Sequence, residues 1–273
     1  MRGAFRRRAA FAVITGVVAL GGAQAASSGG MAATVFHHPI AVVGTSQSSN
    51  WSGYNQGTLE DGNEMYTSIS GTWTVPKVSQ HTPNEAEYSS AWTGIGGGCL
   101  DAGCTVTDNT LIQAGTEQDV SSTGTPSYSA WWEIIPQPST PVTLAIAPGN
   151  RIHVTITEVS NAMWTIVISN LTTRHKVTVN TPYSSTHATA EWIVETPLVV
   201  GTGGGFAPLP NLTTVHFDKS LTDGVNPALV ATEQVQLING SSQVIAQPSS
   251  PDPDADGFND CAWKTRCAAP VSS

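Results

Sequence analysis

From Asn50 onward the chain is a succession of short segments whose apolar residues fall at every second position, with turn residues between them. No segment of this region repeats with the 3.6-residue period of a helix that hides one face. Val142, Leu144 and Ile146 alternate with small or polar residues, Pro148-Gly149-Asn150 turns the chain, and Ile152, Val154 and Ile156 alternate again; this predicts a hairpin. Trp164, Ile166 and Ile168, a polar turn over 170–175, then Val177 and Val179 predict a second. Val235 and Leu237, Asn239-Gly240, then Val244 and Ala246 predict a third. Met65 to Pro76 is rich in β-formers and stops at the proline. Many short strands at regular spacing predict an all-β sandwich or barrel over 48–273, a size that one core can serve.

The first residues carry a different signal. Arg2, Arg6, Arg7 and Arg8 precede an apolar run from Ala9 to Ala23, and Ala23-Gln24-Ala25 fits a small-x-small cleavage site. Residues 1–25 therefore read as a secretory signal peptide, since the run is short for a bilayer span. Residues 26–47, small, polar and weakly patterned, read as a linker or short pro-segment. No later stretch is apolar enough for a membrane helix, so a secreted, extracellular protein without an anchor is expected.

Four of the 11 Lys and Arg lie in that signal and none of the 20 Asp and Glu do, which leaves 7 bases and a charge of −13 with neutral His. Such a surface repels phosphates and excludes nucleic acid as a partner. It also carries few charges that persist when acid neutralises carboxylates, so positive self-repulsion at low pH is small. Cys99 and Cys104, and Cys261 and Cys267, are close in sequence, and two local disulfides are the expectation for an exported chain.

Common hydrolase signatures are missing: no G-x-S-x-G, no H-E-x-x-H, and neither Asp-Thr-Gly nor Asp-Ser-Gly. Gly96-Gly97-Gly98 and Gly203-Gly204-Gly205 lack the Lys and helix of a phosphate loop and read as turns. Asp252-Pro253-Asp254-Ala255-Asp256-Gly257 resembles the start of a calcium loop, but Trp263 stands at the twelfth position, where such a loop needs a carboxylate. The preferred reading is an acidic turn before a last strand over 258–263, with no metal and no cofactor.

Five segments join Trp or an apolar run to a polar group: Ser49 to Tyr54, Ser90 to Gly96, Leu111 to Gly115, Tyr128 to Glu133, and Ala190 to Glu195. Trp alone fills cores. Gln113 and Glu191 are the unusual members, because each interrupts an apolar strand pattern. These segments resemble the glutamic peptidases, or eqolisins, exported acid endopeptidases first known from fungi. The matching pieces come in the family's order: Asn50-Trp51-x-Gly53, Gly71 to Pro76, Ala91-Trp92-x-Gly94-Ile95, Ile112 to Gly115, Tyr128-x-Ala130-Trp131-x-Glu133, Asn170 to Thr173, and Ala190 to Glu195.

The resemblance implies an antiparallel two-sheet sandwich of the concanavalin A, lectin-like type. It implies Gln113 and Glu191 as the catalytic pair, Trp51 and Trp92 as aromatics lining the cleft, and Glu133 as an acid at its floor. It implies polypeptide substrates and a water-activating reaction, and a monomer is the expected working unit. Glu195, four residues after Glu191, shares its strand face and belongs to the same groove. Fungal members have an Asp where Gly96 stands, another where Ser129 stands, and aromatics in place of Ile134 and Ile135. Two other readings use the same architecture: a glycoside hydrolase with Glu133 and Glu191 as its carboxylate pair, and a non-catalytic sugar-binding module with Trp platforms.

Overall fold

The computed structural model describes residues 34–60, 62–200 and 205–271. The signal peptide over 1–25 and the start of the 26–47 segment lie outside the described residues. The strands in the first half of the chain are β1 (Thr34–Phe36), β2 (Val42–Gly44), β3 (Gln47–Ser48), β4 (Trp51–Gly57), β5 (Ser68–Thr74), β6 (Val78–Ser79), β7 (Ser90–Ile95), β8 (Ile112–Val120), β9 (Pro126–Ile134) and β10 (Thr140–Val142). The second half adds β11 (Arg151–Ser160), β12 (Met163–Asn170), β13 (His175–Pro182), β14 (Thr189–Glu195), β15 (Leu198–Val200), β16 (Asn211–Leu212), β17 (Val215–Thr222), β18 (Gln234–Ile238), β19 (Val244–Pro248) and β20 (Phe258–Ala262).

The strands form two packed layers. One runs β10-β9-β8-β7-β14-β4-β18; the β18–β19 hairpin leads into the other, β19-β20-β17-β5-β11-β12-β13. Pairing among the described residues is antiparallel except where β3 lies parallel to β18. The sandwich expected from the alternating pattern is present, with both disulfides, Cys99–Cys104 and Cys261–Cys267.

Alternation explains the core. Ile152, Val154 and Ile156 of β11 stand opposite Trp73, Gly71 and Ile69 of β5 and opposite Asn170, Ile168 and Ile166 of β12. Residues paired in this way share a face of the sheet. From the facing layer, Trp192 sends its indole across so that Nε1 donates to Ser70 O at 2.9 Å. Gly71 makes this possible, since a Cβ there would lie 2.7 Å from Trp192 Cδ1. Trp73 reciprocates, its Nε1 donating to Thr116 Oγ1 at 3.0 Å.

Of the three expected hairpins, β12–β13 and β18–β19 form. The third does not. Strand β10 ends at Val142 and pairs with β9, while both edges of β11 are taken by β5 and β12. Residues 143–150 cross between layers, with Gly149 N donating to Val75 O at 2.8 Å. The alternation of Val142, Leu144 and Ile146 reported burial on one side, which does not name a strand partner. The Asn239-Gly240 turn also differs from the expected two-residue form. Asn239 N donates to Gln243 O, and the left-handed residue is Ser242 at φ 60°.

Candidate active site

The first layer turns its inner face to the core and its other face to a groove. Strand pairing aligns three rows of residues across that face. The first is Glu133, Gln113, Gly94, Glu191 and Asn55, on β9, β8, β7, β14 and β4. The second is Trp131, Gly115, Trp92, Ile193 and Gly53, and the third is Ser129, Glu117, Ser90, Glu195 and Trp51. Gln113 and Glu191, 78 positions apart in sequence, thus flank one glycine. Gly94 leaves the space between them open: a Cβ there would meet Gln113 Cβ at 3.0 Å and Trp92 Cζ3 at 3.1 Å.

Each side chain of the first row has a definite setting. Gln113 Nε2 donates to Glu133 Oε2 at 2.9 Å, and its Oε1, shielded from solvent, accepts no hydrogen bond. Glu191 is fully buried and neither of its oxygens has a hydrogen-bond partner within bonding distance. Burial pushes its carboxyl well above the usual value; the nearby Thr189 hydroxyl opposes this and the charge of Asp108 adds to it. Burial likewise raises Glu133, to about 8, against the pull of His37. Asn55 pins the loop next to Glu191, its side chain receiving Cys99 N at 2.7 Å and donating to Cys99 O at 2.8 Å. Gly98 must be bare for that loop to close, because a Cβ would fall 2.6 Å from Glu191 Oε1.

The groove is not open. Gln113, Glu191, Trp51 and Trp92 each show 0% exposure, and the chain's own residues 37–40 lie on the groove face. Strand β1 pairs with β15 beside the groove. His37 then enters it. Its ring stacks on Trp131 at 3.6 Å between centroids, Nδ1 lies 2.9 Å from Glu195 Oε2, and Nε2 lies 2.8 Å from Glu117 Oε1. The His37 N–H points at the Glu133 carboxylate, 3.2 Å from Oε2, and His38 N donates to Glu195 Oε1 at 3.2 Å. Ile40 follows, packed in a cluster with Trp51, Trp92, Trp131, Ile193 and Val235, and its N–H donates to Gly97 O at 2.9 Å. Burial alone would push the His37 imidazole down, but the Glu195 and Glu117 carboxylates reverse this and hold it well above its usual value.

The structure therefore brings Gln113, Glu191, Glu133, Trp51 and Trp92 to one face. Trp51 and Trp92 meet edge to face at 5.0 Å, and Trp92 Nε1 donates to Glu195 Oε2 at 2.8 Å. Glu133 sits beside Gln113 and fixes its amide. Glu195 lies further along the groove and holds His37. Sequence reasoning missed His37, Glu117, Asn55 and Asp108. Glu117 and Asn55 had a usable signal, since each lies four positions along its strand from a site residue, Gln113 and Trp51. Nothing local marks His37.

The geometry also bears on the other two readings. Glu133 and Glu191 are three strands apart, roughly 14 Å at sheet spacing, whereas glycosidase carboxyls lie within about 9.5 Å. The Trp side chains of the groove are covered, and none of them is a free stacking platform.

Comparison with known proteins agrees with the architecture and the motif order. The model of the Peptidase A4 family matches residues 49–252. Aspergillopepsin-2 from Aspergillus niger is 29% identical over 170 residues, which are 54% of this chain and 56% of that protein, so the chain spans little more than half the length of this relative. Among solved structures, scytalido-glutamic peptidase with a transition state analog inhibitor superposes with a TM-score of 0.60 at 21% identity, over 78% of this chain and 98% of that one. Aspergilloglutamic peptidase from Aspergillus niger gives a TM-score of 0.50 at 24% identity, over 64% and 99%. With three quarters of its length matched by the family model and the same sandwich beneath the motifs, the chain belongs to the Peptidase A4 family.

Proposed function

We propose that this chain is an exported glutamic endopeptidase that hydrolyses peptide bonds in acid with Glu191 and Gln113 and without a metal in the reaction. The observation that carries the reading is the row in which Gln113 and Glu191 flank Gly94 on one groove face. Peptide hydrolysis needs a base for water, an acid for the leaving amine and a donor for the oxyanion. A carboxyl next to an amide can supply all three. Glu191 takes the proton of an attacking water and returns one to the amine nitrogen. Gln113, anchored by Glu133, offers its amide to the tetrahedral oxygen. Its donor persists at any pH, unlike the base of a Ser-His system, which acid protonates. Export is supported by the N-terminal signal pattern and by the two disulfides.

A second element of the proposal concerns residues 26–47, which act as a pro-segment. What supports it is the position of His37 and Ile40 on the groove face, His37 against Glu133, Glu117 and Glu195 and Ile40 against Trp51 and Trp92. While they stay, the groove face is closed to substrate; once they leave, a peptide and its attacking water can reach the row that holds Gln113 and Glu191.

The test is cleavage of a denatured protein substrate across acidic pH by the protein cut before Ser48. Gln113→Ala and Glu191→Gln are each expected to lose at least about a hundredfold in kcat/KM, on the order of 3 kcal/mol of transition-state stabilisation. Activity is expected to resist pepstatin. Full activity in Glu191→Gln, with the fold intact by circular dichroism, would sink the mechanism.

A further inference from the structure

The acidic turn between β19 and β20 meets a third carboxylate that the sequence does not place there. Asp252 and Asp256 of the turn and Asp218 of β17 each present one oxygen, and the three oxygens lie within 4.8 Å of one another. Asp252 is 6% exposed. Its Oδ1 accepts the N–H groups of Asp256 and Gly257, both at 3.2 Å. Its Oδ2 is closed to solvent and accepts no hydrogen bond. Asp256 Oδ1 is in the same position. Asp218 Oδ1 takes the Lys219 N–H at 2.9 Å. The ion pairs found among the described residues all use histidine, at His37 and His187, and none reaches this cluster.

Buried oxygens without donors, drawn together with no basic group between them, are a costly arrangement unless a cation completes it. The chemistry selects the ion. All three donors are hard carboxylate oxygens, with no thiolate or imidazole. Asp252, Asp254, Asp256 and Gly257 stand at the first, third, fifth and sixth positions of a calcium loop. The loop fails at its twelfth position, Trp263, and Asp218 brings a carboxylate from the neighbouring strand instead. Gly257 is needed for this approach: a Cβ there would lie 2.5 Å from Asp252 Oδ2 and 2.8 Å from Phe217 O, against the strand that carries Asp218.

We propose that Asp218, Asp252 and Asp256 form a calcium site that ties the β19–β20 turn to β17. The site lies on elements that carry none of the groove rows, so its role is structural. It stands or falls independently of the peptidase reading.

The experiment uses the full chain after EDTA treatment and desalting, titrated with calcium chloride at pH 7 by calorimetry and followed by thermal unfolding. One calcium per chain is expected, together with a rise in Tm. Asp218→Asn, which keeps shape and removes charge, is expected to weaken binding at least tenfold and to abolish the rise. Magnesium chloride is expected to bind at least tenfold more weakly than calcium. No heat and no Tm shift in the unmutated chain up to millimolar calcium would overturn the site, with no variant required. Equal binding by folded Asp218→Asn would overturn the role of Asp218, and equal binding of magnesium would overturn the choice of calcium.

Discussion

At Gln113 the amide has one partner and one free end. Its donor rests on Glu133, a carboxyl raised to about 8 by burial, so in acid Glu133 carries a proton. A protonated carboxyl donates where an ionised one accepts, and an amide can turn to meet it. Gln113 Oε1 then faces Glu133, and the NH2 group is left for an oxyanion. In the proposed pro-segment, His37 docked on Glu133, Glu117 and Glu195 blocks that use. Its raised imidazole and the raised Glu117 and Glu133 all bind protons when the segment is docked. Docking is therefore at full strength in acid and weakens as the pH rises through those values. On the proposed pro-segment reading, release therefore requires cleavage and not acid alone. In the uncut chain, His37→Ala removes one side of a buried ion pair and is expected to raise kcat/KM at acidic pH at least about tenfold, roughly 1.4 kcal/mol. After cleavage behind residue 47 the variant and the unmutated protein are expected to be equally active. A difference that persists in the cut forms would place His37 in the chemistry and contradict the blocking role.

Among the elements, β5 and β14 show how the layers are locked. Trp192 crosses from β14 to the backbone of Ser70 through the space above Gly71. The same strand turns Glu191 and Glu195 to the groove on its other face. A strand alternates its side chains, so the residue that anchors the core and the residues that face the groove are neighbours in sequence. Gly71→Ala forces the indole or the strand to shift and is expected to cost about 1–3 kcal/mol in urea unfolding. Unchanged stability would mean that Trp192 has room to move. The failed hairpin at residues 142–156 makes the complementary point. Apolar alternation marks a side as buried, and β11 had two better partners in β5 and β12.

For the whole molecule, six of the buried titratable groups shift in one direction. Burial raises Glu117, Asp119 and Glu191, takes Asp260 to about 7 and Glu133 to about 8, and the surrounding acids raise His37. A group whose folded value is raised contributes stability that is complete below its unfolded value and is lost as the pH climbs through the folded one. Each such proton changes stability by up to about 1.4 kcal/mol per pH unit. The uncut chain, measured in EDTA, is therefore expected to have a higher urea midpoint at pH 4 than at pH 8. A higher midpoint at pH 8 would contradict this. The small number of bases outside residues 1–25 works in the same direction, since little positive charge accumulates in acid.

The sequence by itself determined the β class, two of the three expected hairpins and both disulfide pairings, and it marked Gln113 and Glu191 as polar residues interrupting apolar strands. These rest on local pattern: period-two burial, turn residues, close cysteines, and polar residues set in apolar strands. It read Asp252 to Gly257 as an acidic turn that only resembles the start of a calcium loop. Only the tertiary structure decided that His37 enters the groove, that Glu133 holds Gln113, and that Asp218 comes up against Asp252 and Asp256. Each of these contacts joins residues that no local period connects, and their geometry is set by which strands pair and in which register. A sandwich brings distant strands side by side, and that choice is made by the competition of all strands for partners, which no single segment records.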